Sequence, residues 1–554
     1  MKHIWTGDGT VRSPFNDVVI PDVTITEYVW KNLDKWSDKT AVICGVTDRK
    51  YTYIQMYRQS QIFGAGLRKK FNIKDGDVVV VMLPNSPEYP TVVLGVLTSG
   101  GIVSTLNPLY TVYEAQKQIS TSEAKLIVTY PEKVNEVKEV LKICKLNIPV
   151  IAVDIDKTRP EDTVSFKELI SDTDVDKHVL KEVKRSAQDT SLLLYSSGTT
   201  GLPKAVELTH RNIVANLEQQ SGDEFKKFND TTETNQDITL AYLPMFHCYG
   251  LSVICLSKLS VGLKLVTLPR FNPDTFLNAL EKHKFGLVYV APPTVLFLAS
   301  SPLVKPKHFE KLQNVLTGAA PLPLADVERF LSKLDICGVT DRKYTYSQLY
   351  KQSQIFGAGL RKKFKIRDGD VVCVMLPNSP EYPTVVLGIL TAGGLATTVN
   401  PVYTLGELLI KGPNVMKGYK NNPKANSEVF VDGWLRSGDL AKIDEDGYVF
   451  IADRLKELIK VNAYQVPPAE LESIIREHPE VFDAAVVGIP DDKTGEKPKA
   501  FVVLNKDSSA SNKDIMEYVN TKVAPYKRLK EVEFLEDIPK NPSGKILRRV
   551  LVQK

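Results

Sequence analysis

Leu194-Tyr195-Ser196-Ser197-Gly198-Thr199-Thr200-Gly201-Leu202-Pro203-Lys204 emerges from the apolar run 191–194. Four hydroxyl side chains, two glycines and one lysine stand within the nine residues from Ser196 to Lys204. Glycines let backbone N–H groups approach phosphate oxygens, hydroxyls donate to them, and Lys204 adds a positive charge. The string therefore suits a triphosphate. Its spacing is not that of a Walker loop, which disfavours a P-loop NTPase. The competing reading of such a string, taken alone, is a flexible surface loop.

On either side of this string the chain alternates between strand-like and helix-like patterns. Residues 78–83 form a continuous apolar run of strand length, suited to a buried parallel strand. Ile62, Leu67 and Phe71 carry helical spacing before it, and Asn85-Ser86-Pro87 reads as a helix start after it. Gly100-Gly101 ends that helix. Residues 237–243 and 287–290 read as strands that run into Pro-containing turns. The pattern predicts an α/β fold up to about residue 330. After Gly406 the texture becomes rich in Gly, Asp and Asn. Residues 467–477 and 513–523 read as helices, and 484–489 and 500–504 as strands, making a small α+β block with its boundary near Asp453 to Lys456.

One segment occurs twice. Residues 43–111 align with 336–404 without a gap, and 56 of the 69 positions are identical. Two distant copies do not make a solenoid. Such identity is too high for an old pseudo-symmetric fold and fits a recent segmental duplication, an exon taken from a neighbouring paralogue or an error of gene assembly, with a functional repeat as the alternative. Both copies carry the pattern of one element, so they should compete for one place in a sheet.

Composition bounds the rest. The 554 residues allow roughly two to four domains. With 43% hydrophobic and 25% charged residues, the balance is that of an ordinary globular protein. A net charge of +5 on this length argues neither for nucleic acid nor for a membrane surface. The six cysteines form no CxxC pair and the seven histidines no HExxH pair, which disfavours a disulfide scaffold or a zinc site; no metal ligand set is read. The apolar stretch 251–268 is broken by Lys258 and Lys264, so no transmembrane segment is expected. The first 17 residues show no secretory pattern, and the chain ends Leu551-Val552-Gln553-Lys554 instead of Ser-Lys-Leu. An intracellular location, cytoplasmic or peroxisomal, is expected.

The Ser196 to Lys204 string resembles the signature of the adenylate-forming superfamily: acyl- and aryl-CoA synthetases, 4-coumarate–CoA ligases, beetle luciferases and peptide-synthetase adenylation domains. Further blocks agree. Leu243-Pro244-Met245-Phe246-His247-Cys248-Tyr249-Gly250 is similar to the family's next core motif, and Thr317-Gly318-Ala319-Ala320-Pro321-Leu322 to the segment lining the adenine and acyl pocket. Gly433-Trp434-Leu435-Arg436-Ser437-Gly438-Asp439 resembles the ribose-binding block. Asp453-Arg454-Leu455-Lys456-Glu457-Leu458-Ile459-Lys460 resembles the hinge, with Tyr464-Gln465-Val466-Pro467 after it, and Asn541-Pro542-Ser543-Gly544-Lys545 completes the series.

The resemblance implies a large AMP-binding domain over 1–453, made of layered α/β subdomains with a small β-rich part, and a small mobile α+β domain over 454–554. It implies an ATP-dependent ligase that converts a fatty or aryl carboxylate into an acyl-adenylate and then a coenzyme A thioester, with Mg²⁺ on the phosphates. Lys545 and His247 would be catalytic. ATP and AMP would be held by Ser196, Ser197, Gly198, Thr199, Thr200, Gly201, Lys204, Gly318, Ala319, Ala320, Pro321, Asp439, Arg454 and Gln465. Lys456 would be the hinge pivot, and Lys456 and Lys460 would line the thioester face. Neither nucleic acid nor a membrane is expected as a partner. Luciferase-type oxygenation of an adenylate shares these motifs and stays open. So does a catalytically degenerate or mis-assembled member, because the family's aromatic–Gly–x–Thr–Glu motif is missing after the Gly318 block, where the second copy stands instead. The hinge-side hairpin also carries Ala463 where the family usually has Gly.

Overall fold

The computed structural model describes residues 17–196, 204–222, 225–320, 322, 324–333, 356, 361–362, 371–374, 395–398, 406–443, 449–454, 457–461, 464–491, 494–506, 508–523, 525–541 and 544–553. Its largest sheet has eight strands. They are β3 (Val78–Met82), β4 (Ile102–Thr105), β5 (Ala124–Thr129), β6 (Val150–Ala152), β7 (Val164–Ser165), β8 (Thr190–Ser196), β9 (Lys204–Thr209) and β17 (Gly418–Tyr419). Their order is β17-β9-β8-β4-β3-β5-β6-β7. All five residues of β3 are buried, as its unbroken valine run predicts for a parallel strand covered on both faces. β3 pairs in parallel with β4 on one side and β5 on the other.

Two helices cover this centre. Tyr53–Phe71 is capped by Thr52 and Gln55 in a reciprocal capping box, and it ends on Asn72 in the left-handed conformation. Tyr89–Thr98 packs on it where two glycines meet. A Cβ on Gly64 would lie 2.8 Å from the Gly95 carbonyl oxygen, and one on Gly95 would lie 2.6 Å from the Phe63 ring. The helix start read at Asn85-Ser86-Pro87 is corrected: the helix begins at Tyr89, with no side-chain cap on Glu88. Asn85 is occupied elsewhere, as shown below.

A second sheet runs β10-β11-β1-β2, from β1 (Thr40–Cys44), β2 (Lys50–Thr52), β10 (Ile238–Ala241) and β11 (Lys264–Thr267). Beside it β12 (Leu287–Val290) and β13 (Asn314–Thr317) form a parallel pair. The repeat contributes β14 (Val371–Val374) and β15 (Leu395–Thr398), paired Val371 to Leu395 and Val374 to Thr398. This is the β3–β4 register shifted by 293 residues. Among the described residues β14 and β15 form a sheet of their own.

After the repeat, β16 (Gly406–Ile410), β18 (Phe430–Val431), β19 (Trp434–Ile443) and β20 (Val449–Arg454) make an antiparallel sheet. The C-terminal region assembles β21 (Ile459–Val461), β22 (Tyr464–Val466), β23 (Val481–Asp491), β24 (Gly495–Leu504) and β25 (Glu531–Phe534) into a five-stranded sheet. Helices Pro468–Arg476 and Asn512–Lys522 pack on it around a core of their own, centred on Val466, Leu471, Ile475, Val486 and Val502. Among the described residues, no helix is long and apolar enough to cross a membrane.

Candidate active site

The quoted Ser/Gly/Thr string joins β8 to β9, two antiparallel strands in which Ser196 faces Lys204. It thus connects two antiparallel strands, whereas a Walker loop leads from a strand into a helix. Ser196 Oγ is buried without a hydrogen-bond partner among the described residues. The Lys204 ammonium lies 5.1 Å from the Tyr419 ring centroid. Ser197, Gly198, Thr199, Thr200 and Gly201 lie outside the described residues, as do Pro321, Lys456 and Ala463.

The loop before His247 is fixed by three side chains from the first copy of the repeat. Asn85 donates to the Ala241 and Leu243 carbonyls at 3.0 and 2.9 Å and accepts from the Met245 N–H at 2.9 Å. The Tyr89 hydroxyl donates to the Met245 carbonyl at 3.0 Å, and the Thr105 hydroxyl to the Phe246 carbonyl at 2.7 Å. Sequence reading missed these residues. The one available signal was an asparagine and a threonine at the ends of apolar strands, where unpaired backbone groups need partners.

His247 is half-buried and accepts the Tyr249 N–H at Nδ1, 3.2 Å away. Burial first, and the Lys545 charge second, bring its pKa down to about 4. The imidazole is therefore neutral near pH 7. Tyr249 continues into a π-helical segment, Tyr249–Leu256, and its hydroxyl reaches the Leu316 and Val290 carbonyls at 3.2 and 3.3 Å. That contact ties the His247 loop to the ends of β12 and β13. Gly318, Ala319 and Ala320 follow β13 directly, and Ala319 holds a positive φ of 76°.

Asp439 and Arg454 face each other across β19 and β20, with Nε to Oδ1 at 3.0 Å. The Asn541 to Lys545 turn descends on this group from the small core. Gly544 holds φ at +84°, and a Cβ there would meet Pro293 at 2.8 Å, so glycine is required by backbone conformation and by close approach alike. The Lys545 ammonium is held below the ordinary lysine range, first by partial desolvation and then by the Arg454 charge, against the pull of Cys248, Asp439 and Glu457. Burial pushes the Cys248 thiol up, and Lys545 opposes that shift. His247, Cys248, Asp439, Arg454 and Lys545 thus form one electrostatic group drawn from four separated stretches of chain. Lys460 and Gln465 face each other in the β21–β22 hairpin, and the Lys460 N–H donates to Glu496 at 2.6 Å. No described contact joins that hairpin to the Lys545 group.

Family models now identify the architecture. The AMP-binding enzyme model matches residues 29–340 and again 331–405, and the AMP-binding enzyme C-terminal domain matches residues 470–545. The chain belongs to the AMP-binding enzyme family. It is similar to 4-coumarate:CoA ligase 1 of Petunia hybrida, 36% identical over 98% of this chain and 96% of that one. It is also 36% identical to 4-coumarate–CoA ligase 4 of Arabidopsis thaliana, over 99% of this chain and 94% of the relative. ATP-bound MatB from Rhodopseudomonas palustris shares the fold, with a TM-score of 0.74 and 23% identity over 96% of this chain and 99% of that one. This places the chain in the lineage of AMP-forming acid–thiol ligases. The family model's second match, 331–405, spans the second copy of the repeat.

Proposed function

We propose that this protein activates a fatty or aryl carboxylate with ATP and passes the acyl group to coenzyme A. A carboxylate oxygen attacks the α-phosphorus and pyrophosphate leaves; the coenzyme A sulfur then attacks the carbonyl and AMP leaves. The observation that supports this most is Lys545 brought from the small core to His247, Cys248, Asp439 and Arg454. An ammonium held there can offset the charge that develops between carboxylate and α-phosphate. Neutral His247 orients the carboxylate by hydrogen bonding and does not transfer a proton near pH 7. Asp439 accepts from the ribose hydroxyls, Arg454 contacts the nucleotide, the Ser196 to Lys204 string takes the phosphates, and Gly318 to Pro321 lines the adenine and acyl pocket. Gln465 contacts the nucleotide from the small-domain side.

In this reading 1–453 is the large domain and 454–554 the small one, which turns about Lys456 to bring Lys460 to the thioester step. Closure of this kind excludes water from a reactive adenylate. Mg²⁺ would be expected on the phosphates. Among the described residues no group of three His, Cys, Asp or Glu side chains could hold a metal, so no step is assigned to one.

A second reading, weakened adenylation, is favoured by one observation. Leu316 and Thr317 at the end of β13 are exposed, and the motif that would follow them in the family is replaced by the repeat. ATP–pyrophosphate exchange across a panel of aryl and fatty acids decides between the readings. Exchange stimulated by at least one acid, followed by thioester formation, supports the ligase; no exchange with any acid overturns it. Light emission with ATP and luciferin would point to the oxygenase alternative.

A further inference from the structure

Helix Pro468–Arg476 belongs to the small core through Leu471 and Ile475, and it ends in a buried charge, Arg476. Arg476 Nη1 donates to Asp326 Oδ2 at 2.9 Å, and Nη2 donates to Asp483. Asp326 stands on helix Leu324–Lys333, whose Phe330 packs in the large core, and it is 1% exposed. The second oxygen of Asp483 takes the Lys540 ammonium. Lys540 opens the turn that carries Lys545. It bridges to Ile546, the Asn541 N–H donates to the Lys545 carbonyl at 2.9 Å, and the Gly544 N–H donates to the Asn541 carbonyl at 2.8 Å. A line of alternating charge, Asp326, Arg476, Asp483, Lys540, therefore runs from the large core to the base of the Lys545 turn.

Within the small core, Asp483 and Lys540 already compensate each other. Arg476 is needed there only if a second carboxylate meets it, and that carboxylate comes from the other core. Among the described residues Asp326 Oδ1 and Arg476 Nε have no hydrogen-bond partner, with Arg329 Nη1 3.9 Å from Asp326 Oδ1, so the pair is not arranged for greatest stability. Buried ion pairs add little net stability, but their charge-assisted bonds fix geometry. We propose that Asp326 and Arg476 form an interdomain latch that positions Lys545 at the His247 loop, and that the latch must open before the thioester step. The role of Lys545 in adenylation rests on the proposed function above; the docking itself does not.

The experiment therefore has two readouts. The first is independent of turnover: a short amine-to-thiol crosslinker joining Lys545 to Cys248, quantified by mass spectrometry, with Lys545→Met and Cys248→Ser as blanks. Asp326→Asn leaves a buried guanidinium short of one carboxylate and should lower the melting temperature, so it is compared well below its own transition, where the crosslink yield should fall about threefold or more. Arg476→Lys, which keeps the charge but loses the fork, should do the same more weakly, and it serves if Asp326→Asn fails to fold. The second readout splits the half-reactions: pyrophosphate exchange should fall about tenfold in Asp326→Asn, while coenzyme A transfer from supplied acyl-adenylate is unchanged or faster. Unchanged crosslinking in folded variants overturns the latch, as does an equal fall in both half-reactions. Absence of exchange in the unmodified protein, with crosslinking still dependent on Asp326, would retract the ligase reading and leave the latch standing.

Discussion

Residues 43–111 and 336–404 are nearly the same text in two places. In the first copy, the β3–β4 ladder lies at the centre of an eight-stranded sheet. In the second, β14 and β15 reproduce that ladder in the same register, and among the described residues they join no other strand. The difference separates two kinds of interaction. Some partners lie inside the copy: β3 with β4, Gly64 against Gly95, and the buried Glu88 with Arg49 and Tyr51. The residues that make them recur in the second copy, where the ladder is described again. Other partners lie outside it: β5 and β8 in the sheet, β11 beside β1, and the 241–246 backbone held by Asn85, Tyr89 and Thr105. Those exist once, and the first copy has them.

Paired substitutions at matching positions can break this comparison. The largest contrast should come from Val79→Asp against Val372→Asp. Val79 is wholly buried in β3, and an unpaired charge there should cost on the order of 3–5 kcal/mol or abolish cooperative unfolding. Val372→Asp should leave the main urea transition within about 1 kcal/mol; equal losses would mean that both copies are built into the main core.

Next is Asn85→Ala, which removes three hydrogen bonds and takes from the buried Leu243 carbonyl and Met245 N–H the partner they have here. A loss of about 2–4 kcal/mol is expected in chemical denaturation, with pyrophosphate exchange falling alongside, while Asn378→Ala should change neither measurably. Gly64→Ala forces a methyl against the Gly95 carbonyl and should lower stability by about 1–3 kcal/mol in chemical denaturation.

The smallest effect concerns His247, whose loop the first copy holds. Its folded pKa of about 4 lies below the unfolded value near 6.5, so the unfolded chain binds more protons between those values. The neutral imidazole therefore contributes stability above about pH 6.5 that is lost as pH falls toward 4. NMR titration of the His247 ring should show a midpoint near 4. Lys545→Met should raise it by removing a repelling charge, and Asn85→Ala should raise it by loosening the loop. A midpoint unmoved by Asn85→Ala would mean that the first copy does not set the environment of His247.

Much of the architecture was legible from sequence because it rests on local physics. The valine run of β3 reads as a buried parallel strand, and the helix and strand patterns from residue 467 onward read as a small α+β block, which has a core of its own. The motif series placed His247, Asp439, Arg454 and Lys545 on one list. Sequence alone did not place Asn85, because its partners lie about 156 to 160 residues away. A helix-start pattern of Asn, Ser and Pro was the nearer explanation, and tertiary contacts overrode it.

The sequence by itself determined the family and the recurrence of residues 43–111 at 336–404, since both are carried by residue identities along the chain. Only the tertiary structure decided which copy enters the large sheet, which side chains steady His247, and that Asp326 meets Arg476 beneath the Lys545 turn. The physical reason is that such contacts need a partner elsewhere in the chain. Duplicating a segment copies its own surface, but it does not copy the single set of neighbours that surface was made to meet.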